Sequence, residues 1–213
     1  MAKNSIIQPL GPSWMTGAYD PLIARWPAGN RMRAVVTDVL APAPGQRLLE
    51  LGCGSGRLAI ALKRRTPGLE ITAVDGNRDI LTIAESRAKA AGVDIDFVLG
   101  DFTDCPLEGA YDRVYSTLVM HHLNLEAKEE VLDRIGRVLV DGGDFVVADF
   151  SHHHGTGQAI LAKLSTLSDP LRGKQPHRDG TFEAMLNETF STVLSVDRIA
   201  SIFGTIEVWK CTR

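Results

Sequence analysis

Cysteine, long apolar runs and an excess of either charge are all scarce in this chain, and each scarcity removes a class of protein. The 213 residues hold three cysteines, Cys53, Cys105 and Cys211. An odd number at such wide spacing argues against a disulfide framework or a zinc site and fits reduced thiols in a cytoplasmic protein. No stretch approaches the roughly 20 apolar residues of a membrane span, and the amino-terminal MAKNSIIQPLGPSW lacks the apolar core of a signal peptide. Neither secretion nor an integral membrane segment is expected. The formal net charge of -3 and the pI near 6.1 leave no clustered basic excess for nucleic acid. Lys63, Arg64 and Arg65 adjoin one another, but at the end of a helical period they complement the helix dipole.

What is present is the composition of an ordinary globular domain, 44% hydrophobic and 23% charged. A chain of this length supports one well-buried core. From residue 47 short apolar runs alternate with helical periods: RLLEL, GRLAIALKRR, LEITAVD and RDILTIAESRAKAAG. That alternation is the signature of a parallel sheet with crossover helices. DIDFVLG (94–100), YDRVYST (111–117), a helix from Leu125 to Val140 and DFVVADF (144–150) carry it to five strands. Past Ser151 come a His-rich turn, an apolar helical face of Ile160, Leu161, Leu164 and Leu167, a polar stretch and the short helix TFEAMLNETF. STVLSVDRIASI and GTIEVWKC then follow each other across Gly204 with no room for a crossover helix, so as neighbours they pair antiparallel. The expected architecture is α/β: a doubly wound, seven-stranded, mostly parallel sheet with one antiparallel strand near the edge.

In such a sheet a ligand sits at the carboxyl ends of the strands, and the first strand-to-helix turn approaches it most closely. Gly52, Gly54 and Gly56 occupy that turn, in LLELGCGSGRLA. Without Cβ atoms they let the backbone take positive φ and come against the ligand. The dinucleotide fingerprint needs a third glycine three residues after the second, whereas Gly54 is followed by Ser55, Gly56 and Arg57. Glu50 sharpens the choice. A carboxylate beside the turn disfavours a pyrophosphate but suits a ligand that carries a sulfonium and an ammonium.

ELGCGSG resembles motif I of the class I S-adenosylmethionine-dependent methyltransferases, and the likeness extends along most of the chain. The resemblance implies a Rossmann-like fold with S-adenosylmethionine as cofactor, held at motif I by Glu50, Gly52, Cys53, Gly54 and Gly56. Asp75, with Gly76 after it, stands where the family's acid accepts hydrogen bonds from both ribose hydroxyls. Asp101 and Phe102, in VLGDF, match the acid that meets the adenine amino group and the apolar side chain that covers the base. Ser116 and Thr117, followed by LVMHHL, resemble the segment that closes over the methionine moiety in the ubiquinone/menaquinone C-methyltransferase-like branch, which adds Ser116 and His121 to the cofactor set. RIGRVLVDGGDFVVADF matches the family's helix, glycine turn and fifth strand, with Asp141 where the family usually has proline. WMTGAYDPLIARW resembles the cap of the quinone and phospholipid branches, in which a Tyr-Asp pair lies over the cofactor. On this basis residues 1–213 form a single methyltransferase domain, with a cap segment at 1–40, a cofactor-binding half at 41–150 and a substrate-side half at 151–213.

Methyl transfer from a sulfonium needs mostly alignment and exclusion of water. A general base is required only when the acceptor must first lose a proton. Candidates at the strands' carboxyl ends are His121 and His122, Asp149 and His152, with Tyr19 from the cap; His121 and Tyr19 are the residues assigned here, the alternative for His121 being a hydrogen-bonded turn histidine. His152, His153 and His154 are consecutive, and side chains that alternate in direction do not converge on one ion, so no metal is expected. STLVMHHL replaces the Asn/Asp-Pro-Pro-aromatic tetrapeptide of enzymes that methylate base amines, which argues against a base-flipping activity. The scattered cysteines do not suit arsenite chemistry. The sequence therefore points to methyl transfer onto a small organic or lipid-like acceptor. Two rivals stand beside it: an idle S-adenosylmethionine-binding domain that works through a partner, and a nicotinamide-dependent oxidoreductase on the same sheet.

Overall fold

The computed structural model describes residues 26–101, 109–151, 180–201 and 204–213. Tyr19, Phe102, Cys105, the His152 to His154 run and the apolar period around Leu161 lie outside the described residues.

Leu48, Leu49, Glu50 and Leu51 are all buried, as a strand covered on both faces of a parallel sheet requires. They belong to β1 (Arg47–Leu51), which is followed by α2 (Arg57–Arg65), β2 (Glu70–Asp75), α3 (Arg78–Ala91), β3 (Asp96–Leu99) and β4 (Tyr111–Thr117) and preceded by α1 (Pro27–Leu40). A single 3-10 turn, Met120–His122, then leads to α4 (Leu125–Val138) and β5 (Leu139–Phe150). The chain closes with α5 (Thr181–Thr189), β6 (Thr192–Ser201) and β7 (Gly204–Thr212). The strand order is β3-β2-β1-β4-β5-β7-β6. β1 to β5 run parallel, and β7 is antiparallel to both β5 and β6, which is the reversed strand near the edge that the short Gly204 connection required.

Helix ends sit where the turn chemistry places them. Asn77 caps α3 by accepting the N–H groups of Asp79 and Ile80, Gly92 ends that helix at φ 65°, and Asn124 caps α4 through the N–H of Ala127. One boundary differs from expectation: α4 stops at Val138, not Val140. Leu139 leaves the helix because it pairs with Tyr111, so the strand begins before the paired glycines and is irregular through them.

Alternation along the strands gives the sheet two apolar faces. One packs Phe145, Val147, Trp209 and Cys211 against α4 and α5; the other packs Val146, Ala148, Ile206 and Val208 against α1, α2 and α3. Helix α1 carries Met32, Val36 and Leu40 at fourfold spacing into that second face, and Arg31 reaches Asp197 on β6 at 3.1 Å. The described part of the 1–40 segment is thus a core layer. Among the described residues no helix is long and apolar enough to cross a membrane.

Met32 is only 2% exposed, so Met32→Ala is expected to cost about 2–5 kcal/mol of unfolding free energy. Denaturant titration checks this; a loss below about 0.5 kcal/mol, the scale of a surface change, would show α1 to be dispensable to the core.

Candidate active site

The site is built on the level at which the parallel strands end. Past Leu51 the chain turns sharply, with the N–H groups of Gly52 and Cys53 both donating to Val74 O, at 2.8 and 3.0 Å. Gly52 has φ 72°, and a Cβ there would lie 2.3 Å from Cγ2 of Val119, on the segment leaving β4. No other residue allows that approach. Gly54, at φ 52°, faces open space except for Ile80, and its N–H donates to Oδ2 of Asp75 at 2.8 Å. Oδ1 of the same carboxylate accepts from Asn77 N–H at 2.9 Å. The turn from β1 and the end of β2 are thereby bound to one another. Gly56, also left-handed, is the residue before α2.

Glu50 is 2% exposed and lies opposite Tyr115 in the β1–β4 register. Its Oε2 accepts from the Tyr115 hydroxyl at 3.3 Å, and the N–H of Ala59, in the first turn of α2, also reaches it. Burial pushes this carboxyl up to about 8; the charge of Asp75 adds to the rise, while Tyr115 and Ala59 oppose it. Burial likewise raises Asp75, against the two backbone N–H groups that favour its ionised form. The Cys53 thiol is raised by burial and then by Glu50 and Asp75, so it stays protonated. Acids thus crowd a glycine cradle shaped for close approach. Such a set of acceptors fits a ligand with positive charge and hydroxyl groups, as the resemblance to motif I implies.

The neighbouring positions are placed as follows. Gly76 is exposed. Gly100 N–H donates to Asp75 O at 3.1 Å, which brings half-buried Asp101 beside the end of β2. Ser116 is fully buried, and its hydroxyl donates to Leu51 O at 2.9 Å, on the sheet face opposite Glu50. Its donor is committed to holding β4 against β1.

His121 stands on the 3-10 turn after β4, 7% exposed. Leu118 at the start of this turn is held at φ 57°, a left-handed conformation unusual for leucine, with its N–H donating to Ala148 O at 2.8 Å. The His121 ring Nδ1 is 2.8 Å from Oδ1 of Asp149, and the His121 backbone N–H donates to Oδ2 at 3.2 Å. Asp149 is completely buried. Its carboxylate can only accept, so Nδ1 carries a hydrogen. The rings of His122 and Phe150 pack on the imidazole, with centroids 4.0 and 5.0 Å away.

Sequence reasoning weighed Asp149 as a separate base and missed it as the partner of His121. It also missed Tyr115, although a signal existed: Glu50 and Tyr115 each stand just short of the ends of strands that finish side by side.

Residues 48–143 match the family model described as a methyltransferase domain. The chain is similar to the demethylmenaquinone methyltransferase of Thermus thermophilus, 36% identical over 124 residues, which is 58% of this chain and 56% of that protein. It is similar also to a ubiquinone/menaquinone biosynthesis C-methyltransferase of Cereibacter sphaeroides, 34% identical over 116 residues, 54% of this chain and 46% of that one. The chain spans about half the length of these curated relatives. Among solved structures, magnesium protoporphyrin IX methyltransferase from Synechocystis, with bound SAH, superposes with a TM-score of 0.72 at 18% identity, over 87% of this chain and 84% of that one. Residues 48–143 thus match a methyltransferase-domain model, and the chain shares the Rossmann-like fold of that methyltransferase structure.

Proposed function

We propose that this chain methylates a small, lipid-like acceptor of the quinone type, with His121 as the general base. The observation that carries the proposal is the His121–Asp149 pair, buried beside the glycine cradle. Val119, which meets Gly52, is only two residues from His121, so one short segment both closes on the cofactor turn and presents the imidazole. The curated relatives act, by their names, in menaquinone and ubiquinone biosynthesis, which supports an acceptor of that class.

Glu50 and the glycine turn would hold the methionine moiety, Asp75 the ribose, and Asp101 with Phe102 the adenine; Tyr19 is proposed to complete the acceptor side. When bound, S-adenosylmethionine supplies a methyl group made electrophilic by the sulfonium. The protein's own contribution is to orient the acceptor and to take its proton. For a hydroquinone, His121 Nε2 would accept the phenolic proton, and the electron pair left behind makes the adjacent ring carbon nucleophilic. Once that carbon is methylated its hydrogen leaves as a proton while the oxygen is reprotonated, so the aromatic hydroquinone is restored with one proton released overall. Asp149 fixes the imidazole tautomer and stabilises the imidazolium that results. The chain's domain division, with residues 151–213 on the substrate side, follows from the same assignment.

Calorimetric titration with S-adenosylhomocysteine, with NAD and NADP as controls, is the direct test of the cofactor site. Binding of the first alone is expected, and binding of a nicotinamide instead would reverse the assignment. Because Glu50 starts near pH 8 in the free protein and the ligand's ammonium favours its ionised form, binding at pH 7 should release protons and tighten as pH rises from 6 to 8. Glu50→Gln should abolish that release, as read by titrations in buffers of different ionisation enthalpy; an unchanged proton count in the variant would remove Glu50 from the site.

His121→Ala is expected to lower kcat with a demethylated hydroquinone acceptor by about 10²–10⁴-fold while leaving S-adenosylhomocysteine binding nearly intact. Asp149→Asn should cost about 10²-fold or more by allowing the wrong tautomer. If turnover with a verified acceptor is unchanged in both variants, the histidine is only a structural element of its turn.

A further inference from the structure

The rung of the sheet that carries Glu50 runs Ala73, Glu50, Tyr115 and Val146 across β2, β1, β4 and β5, and all four side chains are buried. Ala73, Tyr115 and Val146 belong to the apolar layer packed against α1, α2 and α3, so Glu50 brings a carboxylate into that layer. A buried phenol turns its hydroxyl to an acceptor within reach. Val146, on one side of Tyr115, has no polar atom in its side chain. On the other side the hydroxyl lies 3.3 Å from Oε2 of Glu50.

The two acids of the glycine turn are held in different ways. Both oxygens of Asp75 accept backbone N–H groups, from Gly54 and Asn77, so the local chain fixes that carboxylate. Glu50 takes the N–H of Ala59 and a hydroxyl that comes from another strand, 65 residues away. A carboxylate offers about four acceptor positions, so these two contacts leave capacity for a ligand's ammonium. The titratable groups around Glu50 are Tyr115 on β4, Asp75 on β2 and Cys53 in the turn, with α2 contributing the Ala59 N–H. Helix α1 brings only the apolar Met32, Val36 and Leu40 to the same layer. Burial, and less strongly the charge of Asp75, disfavours an ionised Glu50, and Tyr115 acts against both.

We propose that Tyr115 is a positioning residue of the cofactor site: its hydroxyl, donated to Oε2, holds the Glu50 carboxylate beside the glycine turn and steadies the negative charge that receives the ligand's ammonium. The tyrosine acts through Glu50 and not on the methyl group. This deepens the assignment of Glu50 to the cofactor site and rests on it. It gives the interior of β4 a part in holding the ligand, in addition to the contact that Val119, beyond the end of that strand, makes with the turn.

The experiment titrates S-adenosylhomocysteine into the full chain by calorimetry between pH 6 and 9. Tyr115→Phe keeps the ring in its layer and removes the hydroxyl alone. It is expected to weaken binding at pH 7 by about tenfold or more, the scale of losing a hydrogen bond to a charged group. Because the lost donor favoured the ionised carboxylate, the rise of affinity with pH should move upward by about one unit, with wild-type affinity approached at the alkaline end. In a Glu50→Gln background, where no carboxylate is left to steady, the same change should cost less than about twofold. A folded Tyr115→Phe protein with wild-type affinity throughout, an equal loss at every pH, or a loss undiminished in the Glu50→Gln background would overturn the proposal. A second measurement decides even if Tyr115→Phe does not fold. The chain holds three tyrosines, Tyr19, Tyr111 and Tyr115, so in ¹³C-tyrosine-labelled protein the Tyr115 Cζ signal is assigned by changing the other two to phenylalanine. Saturation with S-adenosylhomocysteine at pH 7 should move that signal in the wild type and far less in Glu50→Gln; an unmoved signal, or the same movement in both, counts against the proposal. Failure of the underlying assignment is separately visible, as Glu50→Gln with wild-type affinity and proton release.

Discussion

The in-register pairing of β1 with β4 fixes the level from which every functional group is measured. Glu50 stands opposite Tyr115 and Leu51 opposite Ser116, with the Ser116 hydroxyl locking the last rung through Leu51 O. A slip of one residue would exchange the two faces, putting Leu51 where the carboxylate lies and Glu50 into the apolar layer over α4. Because both strands finish together, the segments leaving them collide, and that collision is the contact between Gly52 and Val119. Glycine is what the pairing demands there.

The two sides of the carboxyl edge handle charge in opposite ways. At the glycine turn Glu50 and Asp75 are drawn together and burial works against both, so a cationic ligand relieves an existing cost. At the far corner each buried acid already has a partner, Glu207 with Arg198 and Asp149 with His121. The second arrangement is already paired within the chain, and it fixes the histidine ring in place.

The parts legible in the sequence are those encoded locally. The glycine turn, the strand-end Asp75 and the reversed strand after Gly204 each depend on residues a few positions apart, and each stands where its spacing puts it. What stayed hidden depends on register between distant strands: Tyr115 is 65 residues from Glu50, and Asp149 is 28 from His121. Lys128, which is buried and donates to Leu123 O, was hidden for another reason. It sits in the run EAKEE, which reads as the solvated side of a helix, and only the packing of α4 on the turn before it reveals that this one cation faces inward. The end of α4 was misplaced because Val138, Leu139 and Val140 satisfy a helical and an extended pattern equally, and pairing of Leu139 with Tyr111 decides for the strand.

β7 follows β6 in the chain yet takes the inner place, between β5 and β6. The final two strands therefore cannot join the sheet one after the other as they are made. Until β7 arrives, β5 presents an open row of backbone donors and acceptors beside Phe145, Val146, Val147 and Ala148, a long apolar edge of the kind that recruits other chains. Assembly is safest if β6 and β7 first close as a hairpin and dock as one piece, with Lys210, Arg198 and the other charges of the pair keeping that hairpin apart from its own copies. The sheet's last joint is thus both the completion of the rung formed by Asp149, Glu207 and Arg198 and the end of the period in which the chain is most exposed to aggregation.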